Sequence, residues 1–448
     1  MVKKLFWFLV YFLSPMIPMI AVYNSNPAKY NNPSHAVPLI FGEIAYVWLM
    51  YEFVLSARPK FIERSFGMDK FYRFHGLMAI VSVLAVLIHQ SVVKERLASE
   101  LSTFFGSAAT VLYIGVTILA LIFIIDSILL KIKPVLIIRN ECLKRFSLFK
   151  YNKQVIIHNI SILAYAAMFI HVLTTDASKN SLAVRWIYII YFIIGAMFYI
   201  YHKFVKKLIL DKNMFRVKEV VKENNTMWTL KLVPDNGQLF SYKPGQFAFI
   251  KPFSSNIEKE EHPFSISSNP TNKDYISFTI KELGDFTSKI KTLKAGDKLH
   301  IDGPYGKFSY LEYPSEKTQV FIAGGVGIVP FLSMLRHMKS CDKNRDVIFL
   351  FGVNNRSDLI CLKEFEEMEK EIKNFKFVPV MFKDDGWQGE KGLIHRERLE
   401  RILKENNKNI ASCGFYICGP SVMTNSIVPE LKNMGIKRKH IHFEKFSM

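Results

Sequence analysis

Cysteine is sparse: the 448 residues hold Cys142, Cys341, Cys361, Cys413 and Cys418, and no two of them form a C-x-x-C pair. Cys413 and Cys418 open a plant-type iron–sulfur spacing, but the C-x-x-C that must follow is missing, which excludes a cluster. Acidic residues are outnumbered 39 to 59, giving a net charge of +20. An excess of that size raises the question of nucleic acid. Here the basic residues crowd the loops between apolar segments, where an anionic inner leaflet would hold them, so membrane topology accounts for the charge and no nucleic-acid partner is expected. No EF-hand loop, Ser–His–Asp set or metal-hydrolase constellation is visible.

What is abundant is apolar sequence, and it is confined to one half. Runs rich in Phe, Ile and Leu fill residues 1–204, whereas 205–448 have the mixed composition of a soluble α/β protein. Spans are expected near 5–23, 37–56, 71–93, 106–131, 154–174 and 182–204, each long enough for a bilayer core of about 20 apolar residues. The first follows Met1-Val-Lys-Lys but carries Pro15 and Pro18 and no small-residue cleavage site, so a retained helix is expected rather than a signal peptide. Sixteen Lys and Arg, from Lys3 to Lys207, fall on one side of these spans, against Lys29, Lys94, Arg96 and Lys179 on the other. The richer side reads as cytoplasmic, which puts both the N-terminus and the soluble half inside the cell and leads us to expect a multi-pass protein of the plasma membrane.

Ionisable side chains inside spans need a reason. The third span carries His75 and His89, and the fifth carries His158 and His171. At about 1.5 Å per residue, each pair is separated by roughly 20 Å along its helix. Both helices run from inside to outside, so their histidines stand at two matching depths. Imidazole is a common axial ligand of haem iron. The pairs His75–His158 and His89–His171 are therefore read as metal ligands for two stacked b-type haems. The alternative is polar glue between helices, which a lone histidine would favour. His35 in an outer loop and His202 at a helix end take ordinary roles. One detail conflicts with ideal geometry: 14 residues nearly complete four turns, but 13 fall about 140° out of line.

After Lys207 the pattern changes to short strands, Phe215–Val221, Thr226–Val233 and Gln246–Pro252. Three motifs follow in order: Lys243-Pro-Gly-Gln-Phe247, His262-Pro-Phe-Ser-Ile-Ser-Ser268 and Gly284-Asp-Phe-Thr-Ser-Lys289. The last reads as a loop opening a helix, whose N–H groups could hold a pyrophosphate. Further on, strand Val320–Ala323 leads through Gly324-Gly-Val-Gly327 into a helix beginning Ile328-Val-Pro330. Strand, glycine turn and helix form a phosphate cradle without the G-x-G-x-x-G fingerprint. Arg356, just past a second strand at Val347–Gly352, stands where a ribose 2′-phosphate would be, or is a solvated loop arginine. Phe415-Tyr-Ile-Cys-Gly-Pro420 is a strand ending in a C-G-P turn.

Together these stretches resemble the ferredoxin–NADP reductase-type enzymes, and in particular the transmembrane NADPH oxidase and ferric reductase family, which like this chain has His rather than Arg before P-F-[ST]. The resemblance implies a six-helix all-α haem bundle at 1–207, a β-barrel FAD domain at 211–313 and an α/β nicotinamide-binding domain at 314–448. It implies that His262, Pro263, Phe264, Ser265 and Ser267 line the flavin, with Ser265 near its reactive edge. Gly284, Phe286 and Thr287 would meet the pyrophosphate, and Gly324, Gly325, Gly327, Pro330 and Arg356 the NADPH or NADH. Cys418, Gly419 and Pro420 would flank the nicotinamide, and Phe446 would cover the flavin ring although two residues follow it. Ser265, Cys418 and Phe446 are thus the expected catalytic residues. The function implied is electron transfer from cytoplasmic NAD(P)H through FAD and two haems to an outer acceptor. Outer loops near 24–36, 94–105 and 175–181 are short and favour a small acceptor, first oxygen giving superoxide. Ferric iron, or a quinone or partner protein to which the chain supplies electrons, is the alternative.

Overall fold

The computed structural model describes residues 2–92, 99–124, 132–145 and 151–444. The chain divides into two compact units, Met1–Lys207 and Leu208–Met448.

The first unit is helical. Its elements are α1 (Val2–Leu13), α2 (Met16–Ser25), α3 (Pro33–Ser56), α4 (Lys60–Phe66), α5 (Met68–Val92), α6 (Glu100–Leu119), α7 (Lys133–Arg145), α8 (Tyr151–His158), α9 (Ser161–Thr174), α10 (Asp176–Asn180), α11 (Leu182–Ile200) and, across the boundary, α12 (Lys206–Lys212). Six helical stretches are long and apolar enough to cross a membrane: Val2–Ser25, Pro33–Ser56, Lys70–Ser91, Glu100–Phe123, Lys153–Thr174 and Leu182–Lys212. Side-chain caps start three of them, with Asn32, Ser99 and Ser181 accepting from the N–H groups of Ser34, Ser102 and Val184. Phe6, Phe104, Val111 and Trp186 stand exposed on the outside of the helices, the arrangement a lipid solvent selects. The interior is aromatic, and some of its polar tips bond backbone: Tyr46 donates to the Tyr188 carbonyl at 2.7 Å and Tyr165 to that of Tyr191 at 3.1 Å.

The second unit holds two sheets. Strands β1 (Phe215–Lys222), β2 (Met227–Pro234), β3 (Phe247–Pro252), β4 (His262–Ser265), β5 (Ile276–Lys281) and β6 (Lys298–Tyr305) form an antiparallel sheet in the order β4-β3-β6-β1-β2-β5. Its two end strands approach each other, through a bridge from Ile266 to Phe278 and a bond from Ser267 N–H to the Ser277 carbonyl at 2.8 Å. The second sheet is parallel, with β7 (Thr318–Gly324), β8 (Asp346–Val353), β9 (Phe375–Met381), β10 (Glu390–Lys391), β11 (Cys413–Cys418) and β12 (Ile441–Glu444) in the order β10-β9-β8-β7-β11-β12. Helices α13 (Val329–Cys341), α14 (Leu362–Glu371), α15 (Arg396–Glu405) and α16 (Ser421–Asn433) connect its strands. Every residue of β7 is buried, as a strand covered on both faces demands. The strand order reverses between β7 and β11, and ligands of open α/β sheets sit at such a switch point.

Two local expectations change. The stretch after Gly284-Asp-Phe is a six-residue 3₁₀ turn, Thr287–Thr292, rather than a helix that could present a full set of free N–H groups. The strand expected at 262–268 ends at Ser265, because Ser267 and Ser268 turn to meet β5.

Candidate functional site

In the helical unit, the four span histidines meet in the expected pairs. The rings of His75 (α5) and His158 (α8) have centroids 6.3 Å apart, and those of His89 (α5) and His171 (α9) are 6.1 Å apart. The outer pair is held from behind in two matching ways. His89 Nδ1 bonds the Pro38 carbonyl of α3 at 2.7 Å, and His171 Nδ1 bonds the Ser102 carbonyl of α6 at 2.8 Å, with the Ser102 hydroxyl at 3.1 Å. A carbonyl only accepts, so Nδ1 carries the proton in both rings and Nε2 is left as the unprotonated nitrogen, the one with a lone pair to offer. One helical turn beyond each carbonyl stands a glycine. A Cβ on Gly42 would lie 2.7 Å from His89 Nδ1, and one on Gly106 would lie 2.8 Å from His171 Nδ1. The glycines let each imidazole sit flat against its supporting helix. Among the described residues, none of the four histidines bonds through Nε2, and no three His, Cys, Asp or Glu side chains gather as a metal cluster.

The 13-residue spacing is accommodated by a break. The fifth span is two helices, α8 and α9, joined at Asn159-Ile160. Asn159 N–H bonds Ile156, Ile160 bonds Ile157, Ile162 bonds Asn159 and Leu163 bonds Ile160, all at the i−3 carbonyl. Each residue wound at three per turn advances about 20° more than in an α-helix, so four of them recover more than half of the 140° offset.

In the reductase unit the sequence motifs converge. Gly324–Gly327 caps β7, and Cys418-Gly419 caps the neighbouring β11. The two turns pack backbone on backbone: a Cβ on Gly419 would lie 3.1 Å from the Gly324 nitrogen, and one on Gly327 would lie 2.7 Å from the Gly419 Cα. Gly325 has φ +53°, a conformation that suits glycine. Pro330 occupies the first turn of α13, where its missing N–H costs nothing. Cys418 is fully buried, and burial, with the Glu444 carboxylate as a lesser cause, holds its thiol well above the ordinary range, so it is protonated at neutral pH.

The flavin motifs also meet one another. His262 packs its ring on Phe286, centroids 4.0 Å apart, and Phe264 lies parallel to Phe286 at 6.3 Å. Pro263 and Ser265 pair with Phe249 and Phe247 in β3, and Ser265 is buried. Two hydroxyls are already engaged. Ser267 bonds the Ser277 hydroxyl at 2.9 Å, and Thr287 accepts from the N–H groups of Leu283 at 2.8 Å and Gly284 at 3.0 Å. Phe446 lies outside the described residues.

A residue the motifs did not mark ties the two sheets together. Arg336, near the middle of α13, donates to the Ser267 carbonyl at 2.7 Å and makes a doubled bond to Glu364 of α14, both arms at 2.7 Å. Burial by itself would lower its pKa, but the Glu364 carboxylate outweighs that and raises it. Ser333 adds a bond to the Ser268 carbonyl at 2.7 Å. Arg356 is exposed and is held by Asp384 at 2.9 Å, with its guanidinium 5.6 Å over Trp387.

Residues 212–309 match the FAD-binding domain family, and residues 321–428 match the oxidoreductase NAD-binding domain family. This half is a ferredoxin–NADP reductase-type NAD(P)H oxidoreductase. The chain is 29% identical over 216 residues to a subunit, designated F, of the Na(+)-translocating NADH-quinone reductase of Idiomarina loihiensis, covering 45% of this chain and 52% of that protein. It is 33% identical over 167 residues to the corresponding subunit of Haemophilus ducreyi, covering 36% and 40%. The propane 2-monooxygenase reductase component of Mycolicibacterium smegmatis is 27% identical over 236 residues, covering 52% and 67%. The chain thus spans about half the length or less of the quinone-reductase subunits it matches.

Arg356, the residue expected to meet a 2′-phosphate, is paired with Asp384. An exposed ion pair contributes little stability, but its carboxylate is a second charge where a 2′-phosphate would approach Arg356. Asp384→Asn is expected to improve kcat/KM for NADPH relative to NADH by roughly tenfold, about 1.4 kcal/mol. Steady-state kinetics with both nucleotides measure this; an unchanged ratio would remove Arg356 from the nucleotide site.

Proposed function

We propose that the chain carries electrons from cytoplasmic NAD(P)H across a membrane, through FAD and two b-type haems, to an acceptor on the outer side. The observation that carries this reading is the pair of imidazole separations. An iron held between two imidazoles by bonds of about 2 Å, with roughly 1 Å from each nitrogen to its ring centre, would leave the ring centres about 6 Å apart. Both pairs stand at that distance, 6.3 and 6.1 Å. A porphyrin supplies the other four ligands, so two protein side chains per site suffice. The backing of Nδ1 by carbonyls is the outer-shell support that ligating histidines have. His75, His158, His89 and His171 would hold the irons, whose contribution is a one-electron couple at each depth.

On the reductase side, FAD would supply the change from a two-electron to a one-electron donor. The first sheet, whose end strands meet through the Ile266–Phe278 bridge, supports the flavin assignment of His262 through Ser265 and of Phe286. The packed turns at Gly324–Gly327 and Cys418–Pro420 would position the nicotinamide, and Arg336 keeps the two sheets in register. The charge asymmetry of sixteen against four supports a cytoplasmic reductase and a multi-pass placement in the plasma membrane.

For the acceptor, the likeness to NADH-quinone reductase subunits favours a quinone, or a partner protein that the chain supplies with electrons, over oxygen. The short outer loops keep superoxide formation as the second reading. The purified protein is to be given NADH or NADPH with a soluble quinone, with ferric chelates, and with cytochrome c in the presence and absence of superoxide dismutase. Quinone-dependent oxidation that the dismutase leaves unchanged is expected. Cytochrome c reduction abolished by the dismutase, without quinone activity, would return the acceptor to oxygen.

A further inference from the structure

The two histidine pairs are backed by different chemistry. His89 and His171 point Nδ1 at neutral backbone carbonyls. His75 points Nδ1 at the carboxylate of Glu52, a buried residue of α3, with which it is in direct contact. Tyr11 of α1 lies beside the same carboxylate and is itself buried. Among the described residues, Nδ1 of the partner ring His158 has no hydrogen bond. A carboxylate inside a membrane span is costly and needs a compensating role.

From this asymmetry we infer that Glu52 sets the potential of the inner haem below that of the outer one, through His75. This inference rests on the two-haem reading. A carboxylate behind a ligating imidazole raises the basicity of the ligand and adds one negative charge to the site. With one proton between them the charge does not depend on which partner holds it: a neutral imidazole beside a carboxylate and an imidazolate beside a carboxylic acid carry the same total. Negative charge next to the iron favours the ferric over the ferrous state, and in a low-dielectric span that preference is strong. Carbonyl backing at the outer pair fixes the rings without adding charge. That order of potentials would favour transfer outward, and Glu52 is a positioning and tuning residue rather than a ligand.

The test is a redox titration of the haem absorbance in the purified full chain, together with a pyridine haemochrome count. The wild type should carry two haems that titrate as two separate components. Glu52→Gln, which keeps an acceptor but removes the charge, should raise the lower component by at least a tenfold change in the ferric-to-ferrous ratio, about 59 mV for a one-electron couple. The upper component should stay in place. Glu52→Asp, which restores the charge at a shorter reach, should fall between the two. A Gln variant with two haems and an unmoved lower component overturns the inference, as does a wild type that titrates as one component. If the Gln variant keeps a single haem, that haem must be the upper component; survival of the lower one also overturns it. If the Gln variant loads none, the Asp variant decides: an upward shift confined to the lower component supports Glu52, and movement of the upper one or of neither overturns it. A wild-type count near one haem, or none, would instead defeat the two-haem reading itself.

Discussion

Replacing His171 with alanine is expected to halve the haem content, from two per chain to one, and to stop electron delivery to the outer acceptor. His171 is one of two ring nitrogens facing each other across the outer gap of 6.1 Å, and no other described histidine or cysteine is paired with His89 there. Its neighbours are arranged around the ring and not around a methyl group: Ser102 bonds it twice and Gly106 leaves room for it. On the proposed reading the alanine variant would lose one of the two nitrogens that hold the outer haem, and a single imidazole would hold it far less firmly. The inner pair is untouched, since His75 lies at the other end of α5 and His158 on α8, beyond the break that precedes α9. Reduction of the flavin by NAD(P)H should also persist, because the reductase half is a separate compact unit. Gly106→Val provides a second route to the same result without removing a ligand, by placing atoms where the ring lies. The measurements are a pyridine haemochrome count, anaerobic flavin reduction and acceptor-dependent NAD(P)H oxidation on one preparation. Two haems in His171→Ala, or undiminished outward activity, would rule out the outer assignment.

The histidines were legible because ionisable groups stand out in apolar sequence, and their depths follow from residue counts alone. The same signal is present at Glu43 and Glu52 in α3, but neither carboxylate has a partner visible in the sequence; Tyr188 bonds the first, and His75, 23 positions from Glu52, meets the second from another helix. The break at Asn159-Ile160 has no proline or glycine to announce it. With the break, His158 and His171 both face α5, an outcome of tertiary packing and not of local propensity. In the reductase half, β1, β2 and β3 followed from alternation and turn residues, and the glycine turn followed from its own spacing. Strand β6 was harder: its Asp302-Gly-Pro-Tyr305 end reads as a loop, yet it pairs with β3 through Phe249 and Phe247. Arg336 looked like an ordinary helix residue. Its meaning comes from Glu364 and Ser267, 28 and 69 positions away, which only the folded chain brings to it. Asp384 likewise changes the reading of Arg356 from a free cation to a paired one.

Gly327→Ala is expected to slow flavin reduction by about a hundredfold while leaving the haem spectrum as it is. The added methyl would run into the Cys418 carbonyl and would lie 2.7 Å from the Gly419 Cα, well inside the roughly 3.5–4.0 Å of ordinary carbon contact. Both obstacles are backbone, so no side-chain rotation relieves them. The β11 turn must then move away from the β7 turn by about 1 Å, and these are the two turns proposed to fix the nicotinamide against the flavin. Hydride transfer depends steeply on such placement, and an error of about 1 Å can cost a factor of about 10². The loss should fall on the rate of reduction at saturating nucleotide, more than on the nucleotide concentration that half-saturates it. Gly352→Ala is the control: it lies at the end of β8, in the same sheet, and its new methyl would meet only the Ala323 carbonyl at 3.5 Å and Ile394 at 3.6 Å, which is normal packing. Rapid-mixing reduction of the flavin under anaerobic conditions separates the two variants. A Gly327→Ala rate within twofold of the wild type, or an equal loss in Gly352→Ala, would mean that the contact between the two turns does not position the reaction.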